Sequence, residues 1–389
     1  MSENKKLIPK RRFKEFQNAD AWEQLELGVL GSVAMNKRIF KEQTSESGDI
    51  PFYKIGTFGG EADAFISQEL FDEYKSKYPY PIIGDLLISA SGSIGRIVEY
   101  KGKDEYFQDS NIVWLKHDER LVNSFLKQFY SIVRWQGLEG STIKRLYNKN
   151  ILETQISLPS PVEQAKIGEF FSTLDSSIAF QQQKLEKMKS MKSAYLSEMF
   201  PAEGERKPKR RFPGFTDDWE QCELGELSKI TIGEFVIKTK QNPNSEYPVY
   251  NGGRSYTGFY DEFNNNENKI VISARGANAG FVNLVRRKYW AGNSCYSVSI
   301  LDENKVNLDF LFQAIKKKQN LFTDYQQAAN IPSVSKKDVE LFQISLPVFE
   351  EQVKIGKLFK NLDQTITFQQ QKLEKLQNIK KAYLNEMFI

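Results

Sequence analysis

Apolar residues recur at helical spacing over two long stretches of the chain. In the first they fall at Phe171, Leu174, Ile178, Leu185, Met188, Tyr195 and Met199, separated by 3, 4, 7, 3, 7 and 4 residues, which is the spacing of a heptad seam. Gln181 and Lys192 stand where the longer gaps would be filled. The second stretch repeats the pattern with Phe359, Leu362, Ile366, Leu373, Leu376, Tyr383 and Met387, and with Gln369 and Lys380 in its gaps. Pro161 sits where a first helical turn tolerates proline, and Pro201 stops the first helix. The spacing predicts helices over about 162–200 and about 350–388. The first, from Glu163 to Phe200, would be ~55–60 Å long at ~1.5 Å per residue.

Equal seams with equal polar interruptions favour an antiparallel pair, Phe171, Leu174, Ile178, Gln181, Leu185 and Met188 facing Phe359, Leu362, Ile366, Gln369, Leu373 and Leu376. A buried polar pair such as Gln181 with Gln369 would fix register at some cost in stability. The alternative is two unpaired amphipathic helices, each lying on its own domain.

The two stretches are copies. Ser157 to Phe200 and Ser345 to Phe388 align without a gap, and 27 of their 44 positions are identical. The start of the chain is also repeated: Pro9-Lys-Arg-Arg-Phe13 returns as Pro208-Lys-Arg-Arg-Phe212, and Trp22-Glu-Gln-Leu-Glu-Leu-Gly28 as Trp219-Glu-Gln-Cys-Glu-Leu-Gly225. Two units of this size are too long for a solenoid. They imply two similar halves related by a pseudo-two-fold axis, suited to a ligand with approximate two-fold symmetry.

Residues 22–150 and 219–338 diverge and change period. Short β-type runs broken by glycine, such as Leu86–Ala90, Arg96–Tyr100, Ile270–Ala274 and Cys295–Ile300, are followed by helical stretches at Ser124–Trp135 and Asp309–Gln319. The fold class expected is α+β (mixed), with two similar α/β domains joined by the helix pair as a coiled coil. Glycine turns at Ser89–Gly95 and Ser273–Gly280 occupy equivalent places and carry polar side chains. They lack a phosphate-loop pattern, so each is a structural turn or a recognition loop. The base-contact candidates are Lys54, Thr57, Ser91, Ser93 and Arg96 in the first block, and Asn251, Arg254, Tyr256, Arg275 and Asn278 in the second. Arg and Asn make bidentate contacts with guanine and adenine edges. Lys5 to Glu15 and Pro201 to Phe212 are basic leaders, read either as solvated linkers or as contacts to phosphate or to an acidic partner.

A formal charge of +4 from 54 Lys+Arg and 50 Asp+Glu does not by itself mark a nucleic-acid binder. One histidine, His117, at what reads as an exposed strand end, and two cysteines, Cys222 and Cys295, rule out His-rich or Cys-only metal sites. No catalytic residue and no metal ligand stands out, and Gln241-Asn-Pro-Asn-Ser-Glu-Tyr247 lacks the second proline of an amino-methyltransferase motif. No secretory h-region and no apolar run of ~20 residues is present, so a cytoplasmic protein is expected.

The elements Gln-Gln-Gln-Lys-Leu-Glu-Lys at 181–187 and 369–375, with Ser-Leu-Pro…Glu-Gln…Ile…Phe…Leu-Asp at 157–175 and 345–363, resemble the specificity subunit of type I restriction–modification enzymes. The resemblance implies a basic leader (1–21), target-recognition domain 1 (22–150), a central conserved region with basic linker (151–218), target-recognition domain 2 (219–338) and a C-terminal conserved region (339–389). It also implies that each recognition domain reads one half of a bipartite asymmetric DNA target, with the helix pair setting the spacer. The expected partners are double-stranded DNA, two modification subunits and restriction subunits. S-adenosylmethionine, ATP and Mg belong on those partners, and none is expected on this chain. The competing function is a coiled-coil adaptor that binds protein rather than DNA.

Overall fold

The repeat in the sequence becomes two copies of one strand order, with the helix Gln68–Lys77 of the first copy having no counterpart in the second among the described residues. The structure, a computed structural model, describes residues 7–136, 144–324 and 332–389. Its residues divide into two compact units, Met1–Gln181 with Leu373–Ile389, and Gln182–Lys372. Each unit therefore takes part of both long helices, Pro161–Glu198 and Phe349–Met387. The proline at 161 is the first helical residue, and the first helix ends before Pro201.

In the first unit a four-stranded antiparallel sheet runs in the order Gly31–Met35, Ile112–His117, Leu86–Ser89, Ile97–Glu99. Beside it lies a three-stranded sheet of Phe65–Ile66, Ile50–Tyr53 and Tyr106–Phe107, whose second pairing is parallel. The second unit repeats both, with Ser228–Ile232, Cys295–Ile300, Lys269–Ser273 and Val282–Val285 in one sheet and Gly258–Tyr260, Tyr247–Tyr250 and Trp290–Ala291 in the other. The central strands Leu86–Ser89 and Lys269–Ser273 are apolar at consecutive positions because both faces are covered. Helices Asn123–Ile132 and Leu308–Lys317 lie slightly upstream of the stretches expected from sequence.

Within each unit the two long-helix segments run antiparallel. In the first, Phe170 meets Tyr383 edge to face at 5.1 Å while Lys380 Nζ reaches Asp175 Oδ1 at 2.5 Å. In the second, Lys192 Nζ reaches Asp363 Oδ1 at 2.6 Å while Phe200 lies 5.9 Å from Phe359. The gap lysines of the seams are thus ion-paired across the helices. The same aspartates accept from the short helices, Gln128 Nε2 to Asp175 at 3.3 Å and Gln313 Nε2 to Asp363 at 2.7 Å. Of the seam residues, Phe171, Leu185, Phe359 and Leu373 are buried, and Leu174, Ile178, Met188, Leu362, Ile366 and Leu376 are half-buried. Gln181 and Gln369 are buried, each with an amide oxygen that meets no donor in the protein. Within each unit one Asp–Lys pair ties the two helix segments together in register.

The end of each long helix closes a core that its own repeat did not begin. Phe388 stacks on Phe125 at 4.9 Å and meets Trp22 edge to face at 6.4 Å. Phe200 stacks on Phe310 at 5.4 Å and meets Trp219 at 5.9 Å. A Cβ on Gly168 would collide with Ser124 Oγ, and one on Gly356 would stand 2.5 Å from Asn307 Oδ1, so glycine lets the long helix lie directly on the start of the short one.

The basic leaders are straps and do not leave all their cations free. Arg12 makes a bidentate pair with Glu163 at 2.7 Å through both Nε and Nη2, and Arg211 does the same with Glu351 at 2.9 and 2.6 Å. Both carboxylates are buried, and their hydrogen bonds hold Arg12 and Arg211 above the ordinary arginine value. Arg11 and Arg210 pair with Glu386 and Glu198 and lie over Tyr383 and Tyr195. Arg12 and Arg211 are largely buried in these pairs, whereas Arg11 and Arg210 stay about half exposed. Lys10 and Lys209 remain exposed, while Lys5 and Lys6 lie outside the described residues.

The adjoining glutamines repeat the theme. Gln164 accepts from Val122 N at 2.9 Å and donates to the Arg120 and Pro159 carbonyls; Gln352 accepts from Asn307 N at 2.9 Å and donates to those of Lys305 and Pro347.

Two predictions follow from these contacts. Glu163→Ala leaves the buried Arg12 with the Ala19 and Asp20 carbonyls but no counter-charge, so it should lower stability by about 3–5 kcal/mol in denaturant unfolding, and a second change, Arg12→Met, should restore part of the loss. Gln181→Leu removes a buried unmet amide and should raise stability by about 1 kcal/mol; a loss instead would mean that its oxygen has a partner in solution.

Candidate nucleic-acid interface

Loops that follow several sheet strands converge in each unit because the two sheets share a connection. In the first unit Gln108 N donates to Tyr53 O at 2.9 Å and Ala90 N to Asn111 O at 2.7 Å. In the second, Gly292 N donates to Tyr250 O at 2.7 Å and Ala274 N to Ser294 O at 2.8 Å. These bonds gather residues 54–60, 89–96 and 108–111 into one cluster, and 251–257, 273–280 and 292–294 into its counterpart.

The sequence candidates fall inside these clusters but differ in how free they are. Lys54 pairs with Asp63 at 2.8 Å with both side chains partly exposed. Thr57 Oγ1 is 3.1 Å from Lys54 N and 3.3 Å from Lys54 O, closing its own turn. Ser91 Oγ lies 2.8 Å from Asn111 Oδ1. Ser93 is exposed, and its carbonyl accepts from Ser89 Oγ. Arg96 Nη1 donates to the Phe58 carbonyl at 2.7 Å, tying two loops together. Lys54, Thr57 and Arg96 therefore build the cluster as well as lining it.

In the second unit Asn251 Oδ1 accepts from Ser294 N at 3.1 Å, so that amide oxygen is already used within the loops. Arg254 Nε donates to Asn278 Oδ1 at 3.0 Å, and its guanidinium lies 5.9 Å from the centre of the Phe281 ring. Tyr256 is half-exposed beside Phe259, and Arg275 is exposed after the buried Ala274. Gly276 and Gly280 have φ of +88° and +81°, and Gly92 and Gly95 have +63° and +81°, which accounts for glycine at both ends of each turn.

Four side chains at these clusters escaped the sequence reading. Asn111 and Ser294 take equivalent places at the strand starts, Arg38 pairs with Asp109 at 2.8 Å, and Arg145 Nη2 donates to Ser110 O at 3.0 Å. Only their spatial arrival at the loops marks them; Arg145 stands far from the glycine turn in sequence. His117 is half-buried rather than exposed, with Nδ1 2.8 Å from Asp118 O and Nε2 2.7 Å from Asn123 Oδ1. Among the described residues no group of three or more His, Cys, Asp or Glu is placed to hold a metal ion, and no helix is long and apolar enough to cross a membrane.

The profile of the type I restriction modification DNA specificity domain matches residues 19–190 and 216–378. A type I restriction enzyme specificity subunit of Haemophilus influenzae is 58% identical over 158 residues, which are 40% of this chain and 41% of that protein. The chain thus aligns with less than half the length of that relative. A second specificity subunit, from Methanocaldococcus jannaschii, is 25% identical over an alignment of 400 positions, covering 94% of this chain and 92% of the other. The crystal structure of a type I restriction–modification S subunit from M. genitalium shares the fold, with a TM-score of 0.73 over 98% of this chain and 99% of that one at 18% identity.

One cation behind the second cluster gives a pH-dependent expectation. Lys316 Nζ sits 3.7 Å from the centre of the Phe281 ring and donates to Val282 O at 2.8 Å. Burial, helped by Lys192, lowers it from 10.5 to about 8. The unfolded chain then binds more protons between those two values, so stability should rise with pH across that window. Lys316→Met should flatten that rise in unfolding measured from pH 7 to 10.5; an unaltered slope would show that Lys316 is not desolvated.

Proposed function

The chain belongs to the type I restriction modification DNA specificity family, and on that premise we propose that it is the sequence-recognition subunit of a type I restriction–modification complex. Each unit reads one half of a bipartite, asymmetric duplex target through its loop cluster. The observation that carries this reading is the pair of clusters: the same loops, held by the same backbone bonds, present different side chains in the two units. Matching strand frameworks with different polar linings suit two half-sites of different sequence.

In this reading the helix pair sets the unread spacer and docks two modification subunits. Half-sites about one helical turn apart, ~34 Å, present their edges on one face of the duplex. The methyl donor, S-adenosylmethionine, is bound by the modification subunits, and ATP and Mg serve restriction subunits. This chain selects the sequence and leaves adenine methylation to its partners. It acts in the cytoplasm, consistent with free Cys222 and Cys295.

The test is to assemble the chain with its modification subunits and map adenine methylation. The expected result is one split asymmetric motif, with binding that weakens about 10³-fold or more between 50 and 200 mM salt if about six or more phosphates are contacted. The chain alone with S-adenosylmethionine should methylate nothing. A contiguous motif, or binding indifferent to sequence, would overturn the reading.

A further inference from the structure

In each unit an isolated antiparallel bridge joins the glycine turn to the segment that leads into a later strand, Gln155–Leu158 in the first unit and Gln343–Leu346 in the second. It couples Ser91 with Arg145 in the first unit and Arg275 with Ser333 in the second. The bonds beside it match, Leu146 N donating to Ala90 O and Val334 N to Ala274 O, both at 2.8 Å. Ser91 and Arg275 are therefore equivalent, and so are Arg145 and Ser333. Each bridge carries one arginine and one serine, and the arginine has changed sides between the units.

Both arginines are presented rather than consumed. Arg275 is exposed on the turn between Ala274 and Gly276. Arg145 spends one donor on the Ser110 carbonyl, and its guanidinium lies 5.7 Å from the centre of the Tyr147 ring, itself 46% exposed. Among the described residues the Ser110 carbonyl takes one of the five Arg145 guanidinium donors, and the aromatic face limits the orientations the fork must lose on binding. Ser110, whose carbonyl anchors Arg145, has φ of +39°, a left-handed conformation uncommon for a non-glycine residue.

We propose that this bridge is the guanine-reading position of each unit, occupied by Arg145 for one half-site and by Arg275 for the other. The proposal rests on the reading of the chain as a DNA-recognition subunit and adds the residue and the base. Arginine bidentate to guanine O6 and N7 is the commonest specific major-groove contact. Partners across an antiparallel bridge have Cα atoms about 4.5–5.5 Å apart, more than the ~3.4 Å between successive bases on a strand. The side of the bridge that bears the arginine thus sets which base pair of the half-site is specified.

The experiment maps adenine methylation by the assembled complex. A split motif from the unaltered complex establishes the underlying reading independently of any variant; without one, that reading fails first. Arg145→Ala should make a single guanine of one half-site degenerate, losing roughly 5- to 150-fold in preference, with the other half unchanged. Arg275→Ala should do the same in the opposite half. Exchange of the two residues, Ser91→Arg with Arg145→Ser, should restore a specified guanine in the same half, displaced by about one base pair. Should an alanine variant fail to fold, Arg145→Lys keeps the charge and must still lose guanine preference, because an ammonium lacks the planar fork. An unchanged motif, a change in the wrong half, or an equal fall at every sequence with a shallower salt dependence would overturn the proposal; the last would make these arginines phosphate contacts.

Discussion

Neither unit can close its hydrophobic core with one repeat alone. Trp22, Phe125 and Phe171 are capped by Phe388, which arrives from the end of the second long helix. Trp219, Phe310 and Phe359 are capped by Phe200, which arrives from the end of the first. Losing a buried phenylalanine costs about 3–5 kcal/mol, comparable with much of a domain's net stability. The antiparallel course of the helix segments follows from this requirement, because each helix must start beside one core and finish in another.

The positions shared by the two repeats are those that meet this constraint. Glu163 and Glu351 bind the leader arginines, Gln164 and Gln352 tie down the start of the short helix, and Asp175 and Asp363 join the gap lysine to Gln128 and Gln313. All of them lie on or against the long helices. The loops can therefore vary without disturbing the joint, since they hang from strands whose own packing is local.

Much of the architecture was legible in the sequence because helices announce themselves by period and the repeat announces itself by identity. The heptad positions, Pro161 and the 44-residue match located both long helices to within a residue or two. What escaped depended on contacts distant in the chain. The run of arginines in each leader looked like a charged linker, and only the buried Glu163 and Glu351 show that Arg12 and Arg211 are internal. Gln181 and Gln369 are buried, while the ion pairs that link the facing helix segments within each unit are made by Lys192 and Lys380, whose aspartate partners no heptad spacing marks. In the loops, glycine turns marked one segment of each cluster, whereas Arg145 joins the cluster through one backbone bridge that no local pattern signals.

The central claim is that two independent readers share a scaffold. It is tested most directly by replacing residues 22–150 with the corresponding block of another specificity subunit and mapping the adenine motif methylated by the assembled complex. One half of the motif should change while the other half and the spacer stay as they were. A change in both halves, or in neither, would contradict it.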